Sequence, residues 1–269
     1  MTITWRHFPA GEHGFFRAPV LLTGSTEAIL IDGGFTLEDG RRLAVAIEAT
    51  GKRLTTVYVS QSDPDYYFSL APVRAAFPEA RVIASEATVA AIRGNVQKKL
   101  DVWSPRLKEN GPQSLAEVVI PDPSNERTLA LDGEPIEVVE AQGLANRRYL
   151  WVPSLRAAFG GVLVFSGVHV WVADSSTPEE RDAWIRNLDA LAARRPSVVV
   201  PGHAADGAAT DVSAIAYTRD YLLAFEEERQ AASDGAALIA AMKRRYPNAG
   251  MGVALEIGAK VATGEMKWG

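Results

Sequence analysis

Apolar positions along the chain come in short bursts whose spacing switches between strand-like and helix-like periods, and the switches predict its elements. Residues 20–23 and 28–31 are apolar runs around the polar turn Gly24-Ser25-Thr26-Glu27. That pattern predicts a hairpin running into the tight turn Asp32-Gly33-Gly34. Leu43 and Ile47 then mark a helical face that begins near Thr36 or Leu37. Residues 55–59 read as a buried β-branched strand, followed by a loop over 60–64. Next come a helix around 67–76, a strand over 81–84 and a long helix from Glu86 to Leu107, capped by Ser85 and ended before Gly111-Pro112. From about 118 to 172 helical spacing disappears. Strands are predicted there over 117–120, 128–131, 136–140, 149–152, 157–159 and 162–165.

Thr177-Pro178-Glu179-Glu180 supplies a cap, a proline and early acids for a helix carried by Trp184, Leu188 and Leu191. A buried strand over 197–200 runs into Pro201-Gly202-His203. Helices follow from about 211 to 262, broken near Ser233 and at Pro247-Asn248-Ala249-Gly250. Two strand-rich halves with helices outside predict an α/β architecture of sheets packed face to face. No linker or repeat divides residues 1–269, so a single domain is expected, with the helices from about 211 packed on it.

Composition narrows the function more than the fold. At 269 residues, 47% hydrophobic and 23% charged, the chain can bury a large core. Its net charge is −5 and its longest acidic run is the short Glu226–Glu228 cluster, so neither a nucleic-acid nor an anionic-membrane partner is expected. A small-molecule ligand or substrate fits better, and a homo-oligomer stays open. The absence of cysteine removes disulfides, thiolate metal sites and cysteine nucleophiles together. With Trp5, Arg6 and His7 near the start, and no run of about 18 apolar residues, a cytoplasmic protein is expected.

A set of spaced landmarks carries a family resemblance. Ile29-Leu30-Ile31-Asp32-Gly33-Gly34 is an apolar strand ending in Asp-Gly-Gly, and Val57-Tyr58-Val59 leads into Ser60-Gln61-Ser62-Asp63-Pro64-Asp65-Tyr66-Tyr67. Gly143-Leu144, Gly160-Gly161 and Pro201-Gly202-His203 follow at wide intervals. This frame, from about 20 to 225, resembles the metallo-β-lactamase-fold hydrolase superfamily, with its Asp-Gly-Gly, H-x-H-x-D-H loop, Gly-His, Gly-Asp and final Gly-His. The resemblance implies a four-layer αββα sandwich of the metallo-β-lactamase type. In that family these positions hold two metal ions.

Here the ligand positions are occupied by Gln61, Asp63, Asp65, Tyr66, Leu144, Gly161 and His203. Only Asp65 and His203 keep the family's identity, and leucine or glycine offers a metal no donor. Losing the carboxylate at Gly161 removes the anion that would bridge two cations. No cofactor and no metal are therefore expected. A weaker alternative is one divalent ion held by Asp63, Asp65 and His203 with the Gln61 amide oxygen, against which both aspartates could simply cap the following helix.

Without metal, Asp63, Asp65, Tyr66 and His203 supply a general base, a proton donor and a polarising hydrogen bond, and are the candidate catalytic residues. Gln61, His169 and Trp171 are candidates for substrate binding, although Trp171 as core and His169 as a satisfied polar edge fit equally well. Phe15 and Phe16 read either as a flap over the pocket or as a hydrophobic plug. The expected function is metal-independent acid–base chemistry on a small ester, lactone or related carbonyl compound. The alternatives are a catalytically silent ligand- or partner-binding protein and a single-metal hydrolase.

Overall fold

The computed structural model describes residues 2–268. Its first sheet has six strands in sequence order: β1 (Thr4–His7), β2 (Val20–Thr23), β3 (Glu27–Ile31), β4 (Arg53–Tyr58), β5 (Arg81–Ala84) and β6 (Asp122–Pro123). The first three pair antiparallel and the rest parallel. Helices make the parallel crossovers: α1 (Leu37–Glu48) between β3 and β4, α2 (Leu70–Ala76) between β4 and β5, and α3 (Glu86–Leu107) after β5.

The second sheet contains β7 (Thr128–Leu131), β8 (Glu134–Glu140), β9 (Arg148–Val152) and β10 (Ala157–Phe159), which form an antiparallel meander. After β11 (Phe165–Ser166) and α4 (Pro178–Ala193), β12 (Val198–Val199) joins β10 in parallel. β13 (His203–Ala204) pairs with β11. Three helices complete the chain: α5 (Val212–Ala231), α6 (Gly235–Arg245) and α7 (Gly252–Ala262).

Period-2 alternation sorts the strand residues between two cores. Val20, Leu22, Ile29 and Ile31 join Leu129, Leu131, Leu150, Val152 and Phe159 in a core between the sheets. Their neighbours Leu21, Ala28 and Leu30 point the other way, against Leu43, Ile47 and Leu70 of the helices. Trp184, Leu188, Leu222 and Phe225 belong to the helix-packed core as well. The result is helix, sheet, sheet, helix: the αββα sandwich. Among the described residues, no helix is long and apolar enough to cross a membrane.

Local signals placed most elements. The Thr36 hydroxyl and Asp39 carboxylate form a reciprocal cap on α1, and Thr177 with Glu180 does the same for α4. Ser85 caps α3 through the Thr88 amide. Three expectations need correction, and one strand was missed. The segment 117–120 is no strand, and β6 takes its place next to β5. Residues 162–164 are buried but bend instead of running as a strand, and side chains of Arg147 and Trp184 satisfy the Val162 and Leu163 carbonyls, leaving only Phe165 in a strand ladder. The helix expected from Tyr67 starts at Leu70, after a single 3-10 turn over Pro64–Tyr66. β1 was not foreseen, because its half-buried edge carries the mixed residues Trp5, Arg6 and His7.

Candidate functional site

The site lies where three chain segments meet at one end of the first sheet. The turn after β3 supplies Asp32, the loop after β4 supplies Ser60 to Tyr66, and the chain entering β13 supplies Gly202 and His203. Asp32 adopts a left-handed backbone, φ 62°, that turns its carboxylate inward. There it accepts hydrogen bonds from the Ser60 amide and hydroxyl, both at 2.7 Å. The Ser60 hydroxyl in turn accepts from the Gly161 amide at 2.8 Å, tying the second sheet to the first.

Asp65 and His203 converge. His203 is buried and stacks on Phe165, with ring centroids 5.0 Å apart. Its Nδ1 is 2.6 Å from the Phe15 carbonyl oxygen, which can only accept, so Nδ1 carries the proton and Nε2 keeps its lone pair. That Nε2 faces Tyr66 Oη at 3.4 Å and Asp65 Oδ2 at 3.7 Å. Burial, helped by the nearby Arg17 cation, lowers the imidazole pKa to about 3, so His203 is neutral near pH 7. Burial raises the Asp65 carboxyl to about 7, against the pull of Arg17 and with a push from Asp63. Asp65 Oδ2 is itself buried without a hydrogen-bond partner. Asp63 is turned toward Lys99, 3.3 Å away. Neither aspartate caps a helix: the turn that Asp63 precedes has no side-chain cap.

These groups form the floor of a cavity of about 360 Å³. One wall is an aromatic triad in which Phe15 and Phe35 both meet Trp103 edge-on, at 5.3 and 5.2 Å. The opposite wall carries Trp171, packed edge-on against Trp268 at 5.2 Å, with Met251, Val253 and Ile257 from the start of α7. One face of α3 closes the side with Lys99, Val102, Trp103 and Arg106. Phe15 is thus a wall of the cavity, packed on Phe35 and Trp103, and not a plug between the N-terminal strands.

Of the predicted site residues, Asp63, Asp65, Tyr66, His203 and Trp171 line the cavity. Gln61 and His169 do not. The Gln61 amide oxygen accepts from the Ser62 amide at 2.6 Å and from Asn146 Nδ2, which turns it away from the floor. His169 is buried against α5, its Nδ1 3.0 Å from Tyr221 Oη and its backbone amide bonded to Gly250.

The residue that sequence reasoning missed is Arg17, wholly buried beneath the floor. Its Nη2 donates to Asp32 Oδ2 at 3.0 Å and its Nη1 to the Gly202 carbonyl at 2.5 Å. The guanidinium carbon lies 3.6 Å from the centre of the Tyr66 ring. Its one signal in the sequence was an arginine with Phe15-Phe16 before it and Ala18-Pro19-Val20 after it, a poor setting for a solvated charge.

A two-metal centre does not fit these residues. Gly161, where the family carries its bridging carboxylate, has φ +74°, and a Cβ there would lie 1.9 Å from the Arg148 carbonyl oxygen. Leu144 is buried in the helix-packed core. The Arg17 guanidinium brings its own positive charge to Asp65, Nε to Oδ2 at 3.6 Å, which opposes a divalent ion beside that carboxylate. A single ion shared by Asp63, Asp65 and His203 is not prepared either: among the described residues no three His, Asp or Glu side chains gather in ligating geometry.

Two sheets packed face to face, helices outside and an apolar-walled cleft with a polar floor at the sheet ends define an αββα sandwich of the metallo-β-lactamase type. The sequence profile of the Metallo-beta-lactamase superfamily matches residues 14–203, and the chain belongs to that superfamily. A metallo-beta-lactamase from Pontibacter korlensis shares its fold with a TM-score of 0.56 at 20% identity, over 77% of this chain and 87% of that one. A metallo-beta-lactamase family protein from Thermus thermophilus superposes with a TM-score of 0.63 at 16% identity, over 98% of this chain and 93% of that one. A search of curated protein sequences gave no match.

Proposed function

We propose that the protein hydrolyses a small, largely apolar ester, lactone or related carbonyl compound by metal-independent acid–base chemistry centred on Asp65. One observation carries this reading. A carboxyl with a pKa of about 7 and an unpartnered oxygen stands 3.7 Å from the unprotonated nitrogen of His203, on the floor of an aromatic-walled cavity. A carboxyl tuned to that range is populated in both forms near neutrality, as an acid–base catalyst requires.

In the step that follows, ionised Asp65 takes a proton from a water molecule held between it and His203 Nε2. The water oxygen attacks the carbonyl carbon, and the Tyr66 hydroxyl, whose pKa burial drives far upward, stays protonated and swings its one proton from the Gly161 carbonyl, 3.3 Å away, to the forming oxyanion. Collapse expels the alkoxide, which regains the proton from Asp65, leaving a carboxylic acid and an alcohol. Lys99 pairs with Asp63 and offsets part of the push of that second negative charge on Asp65.

The test is a pH-stat screen of aryl esters, medium-chain acyl esters and lactones with chelator-treated protein. A hit should lose about 10²–10⁴-fold in kcat in Asp65→Asn, the usual worth of a positioned general base, with KM little changed. Full activity in Asp65→Asn, or activity that chelation removes and Zn²⁺ restores through Asp65 and His203, sinks the mechanism. Ligand binding without turnover across the screen favours the non-catalytic binder, which the apolar walls suit equally well.

A further inference from the structure

Every polar segment of the site is tied to one side chain that does not itself reach the cavity. Arg17 holds Asp32 from the turn after β3, the Gly202 carbonyl from the chain entering β13, and the face of the Tyr66 ring from the loop after β4. Its remaining donor, Nε, points at Asp65 Oδ2 across 3.6 Å, too far for a hydrogen bond, and both atoms are buried without any other partner. Two carboxylates and one arginine are thus enclosed together, with the neutral His203 at their edge. A buried cation with so many partners is expensive to place and would not persist without them.

The arrangement has the connectivity of a metal centre. A bound cation gathers ligands from separate loops, compensates their charge and fixes their directions. The guanidinium does all three here for loops after β3, after β4 and before β13. Its planar fork gives three directed contacts where a lysine ammonium could give only a point charge. Gly202 shows how tightly the loops are drawn in: a Cβ there would come within 2.0 Å of the Gly161 carbonyl and 3.2 Å of Arg17 Nη1.

We propose that Arg17 is a resident cation, a covalently tethered substitute for a metal ion, which pins the three loops together and orients Asp65 and Tyr66 toward the cavity. It is a positioning residue. The proposal rests on the reading of the Asp65–His203 cleft as the working site, but its test does not need turnover.

Arg17→Ala and the neutral, near-isosteric Arg17→Met are compared with wild type by thermal unfolding and by binding of Nile red, a neutral apolar probe of the cavity. Both variants should bind the probe about tenfold more weakly. Millimolar guanidinium or methylguanidinium should restore Arg17→Ala saturably in both measurements, whereas equal concentrations of NaCl or tetramethylammonium should not. Rescue of that kind follows from a vacated guanidinium site and not from a generally weakened core. Wild-type unfolding and binding in Arg17→Met, or no effect of guanidinium beyond that of salt, overturns the proposal. Should Arg17→Ala fail to fold, Arg17→Met/Asp32→Asn loses the buried cation and its main counter-charge together and takes the same measurements. Wild-type probe affinity in that double variant overturns the proposal, and a tenfold loss supports it. A Zn²⁺- or Mn²⁺-induced stabilisation of wild type that His203→Ala abolishes overturns it too, because guanidinium and metal would compete for one place. Absent hydrolysis with intact guanidinium rescue sinks the acid–base reading alone, whereas normal hydrolysis in Arg17→Met sinks this one alone.

Discussion

Restoring the superfamily's bridging carboxylate by Gly161→Asp should damage the fold and fail to create a metal centre. Gly161 sits at φ +74°, where an L-residue costs about 1–2 kcal/mol. Its Cβ would lie 1.9 Å from the Arg148 carbonyl oxygen, and because the obstacle is backbone, no rotamer relieves it. The loop after β10 must move, which strains the Gly161 amide's bond to Ser60 and the Tyr66 hydroxyl's 3.3 Å contact with the Gly161 carbonyl. A buried carboxylate without a partner adds a penalty of about 3–5 kcal/mol. Together these reach about 4–7 kcal/mol, a large share of the roughly 5–15 kcal/mol that holds a typical domain folded. With a urea m-value of about 3 kcal/mol/M the midpoint should fall by about 1.3–2.3 M. Gly161→Ala separates geometry from charge, since it carries the same Cβ and no carboxylate, and it should lose about 1–2 kcal/mol, the backbone share. A Gly161→Ala midpoint equal to wild type, or stoichiometric zinc in a stable Gly161→Asp protein, would refute this reasoning.

Other outcomes follow from the same contacts. Asp65 is raised to about 7 in the folded state, so it contributes stability that is complete below about pH 4 and is lost as pH rises through 7. His203, lowered to about 3, has the opposite sign: its contribution is complete above about 6.5 and is lost as pH falls toward 3. Each effect is on the order of 4–5 kcal/mol at most, and they offset one another between pH 4 and 6.5. Chemical denaturation against pH should therefore rise more steeply over that window in Asp65→Asn than in wild type, and fall in His203→Gln; parallel profiles for all three would refute the assignment. His169→Phe should destabilise by about 0.5–1.5 kcal/mol through loss of the Tyr221 hydroxyl's bond to the imidazole, yet leave Nile red affinity unchanged, because His169 stands outside the cavity. Trp268→Ala removes the edge contact with Trp171 and the indole bond to Asp174 at 2.7 Å. With Trp268 41% exposed, unfolding should shift by less than about 1 kcal/mol while probe release accelerates severalfold in stopped-flow fluorescence.

Elements were legible in this sequence wherever a local device ended them. The Thr177-Pro178-Glu180 and Ser85 caps, the breaks at Ser233 and Pro247, and the apolar runs of β2 and β3 around their polar turn all act within a few residues of the positions they control. Residues 162–164 defeated the same method, since an apolar run reveals burial and says nothing of what its carbonyls bond to. Their partners here are an arginine and a tryptophan side chain and, for Val164, the Gly202 amide, all from elsewhere in the chain. Side-chain direction was equally hidden. Gln61 and Asp63 lie two residues apart in one loop, yet one faces Asn146 and the other lines the cavity.

Arg17 sharpens that limit, because what makes it part of the site is non-local. Its partners lie 15 residues away at Asp32 and 185 at Gly202, and no spacing rule connects such positions. The family frame locates the loops by their glycines and aspartates, and so finds a lost ligand readily. It cannot find a residue that has taken over the ligand's work from outside the motif. Ligand counts over Gln61, Tyr66, Leu144 and Gly161 describe a site taken apart. The buried guanidinium describes one held together, with Asp32, Tyr66 and Gly202 still drawn to a central positive charge and Asp65 facing it. If a central cation is the underlying requirement of this cleft and the metal only one form of it, then in a divergent member the place to look for function is among buried arginines near the Asp-Gly-Gly turn, not among the missing histidines.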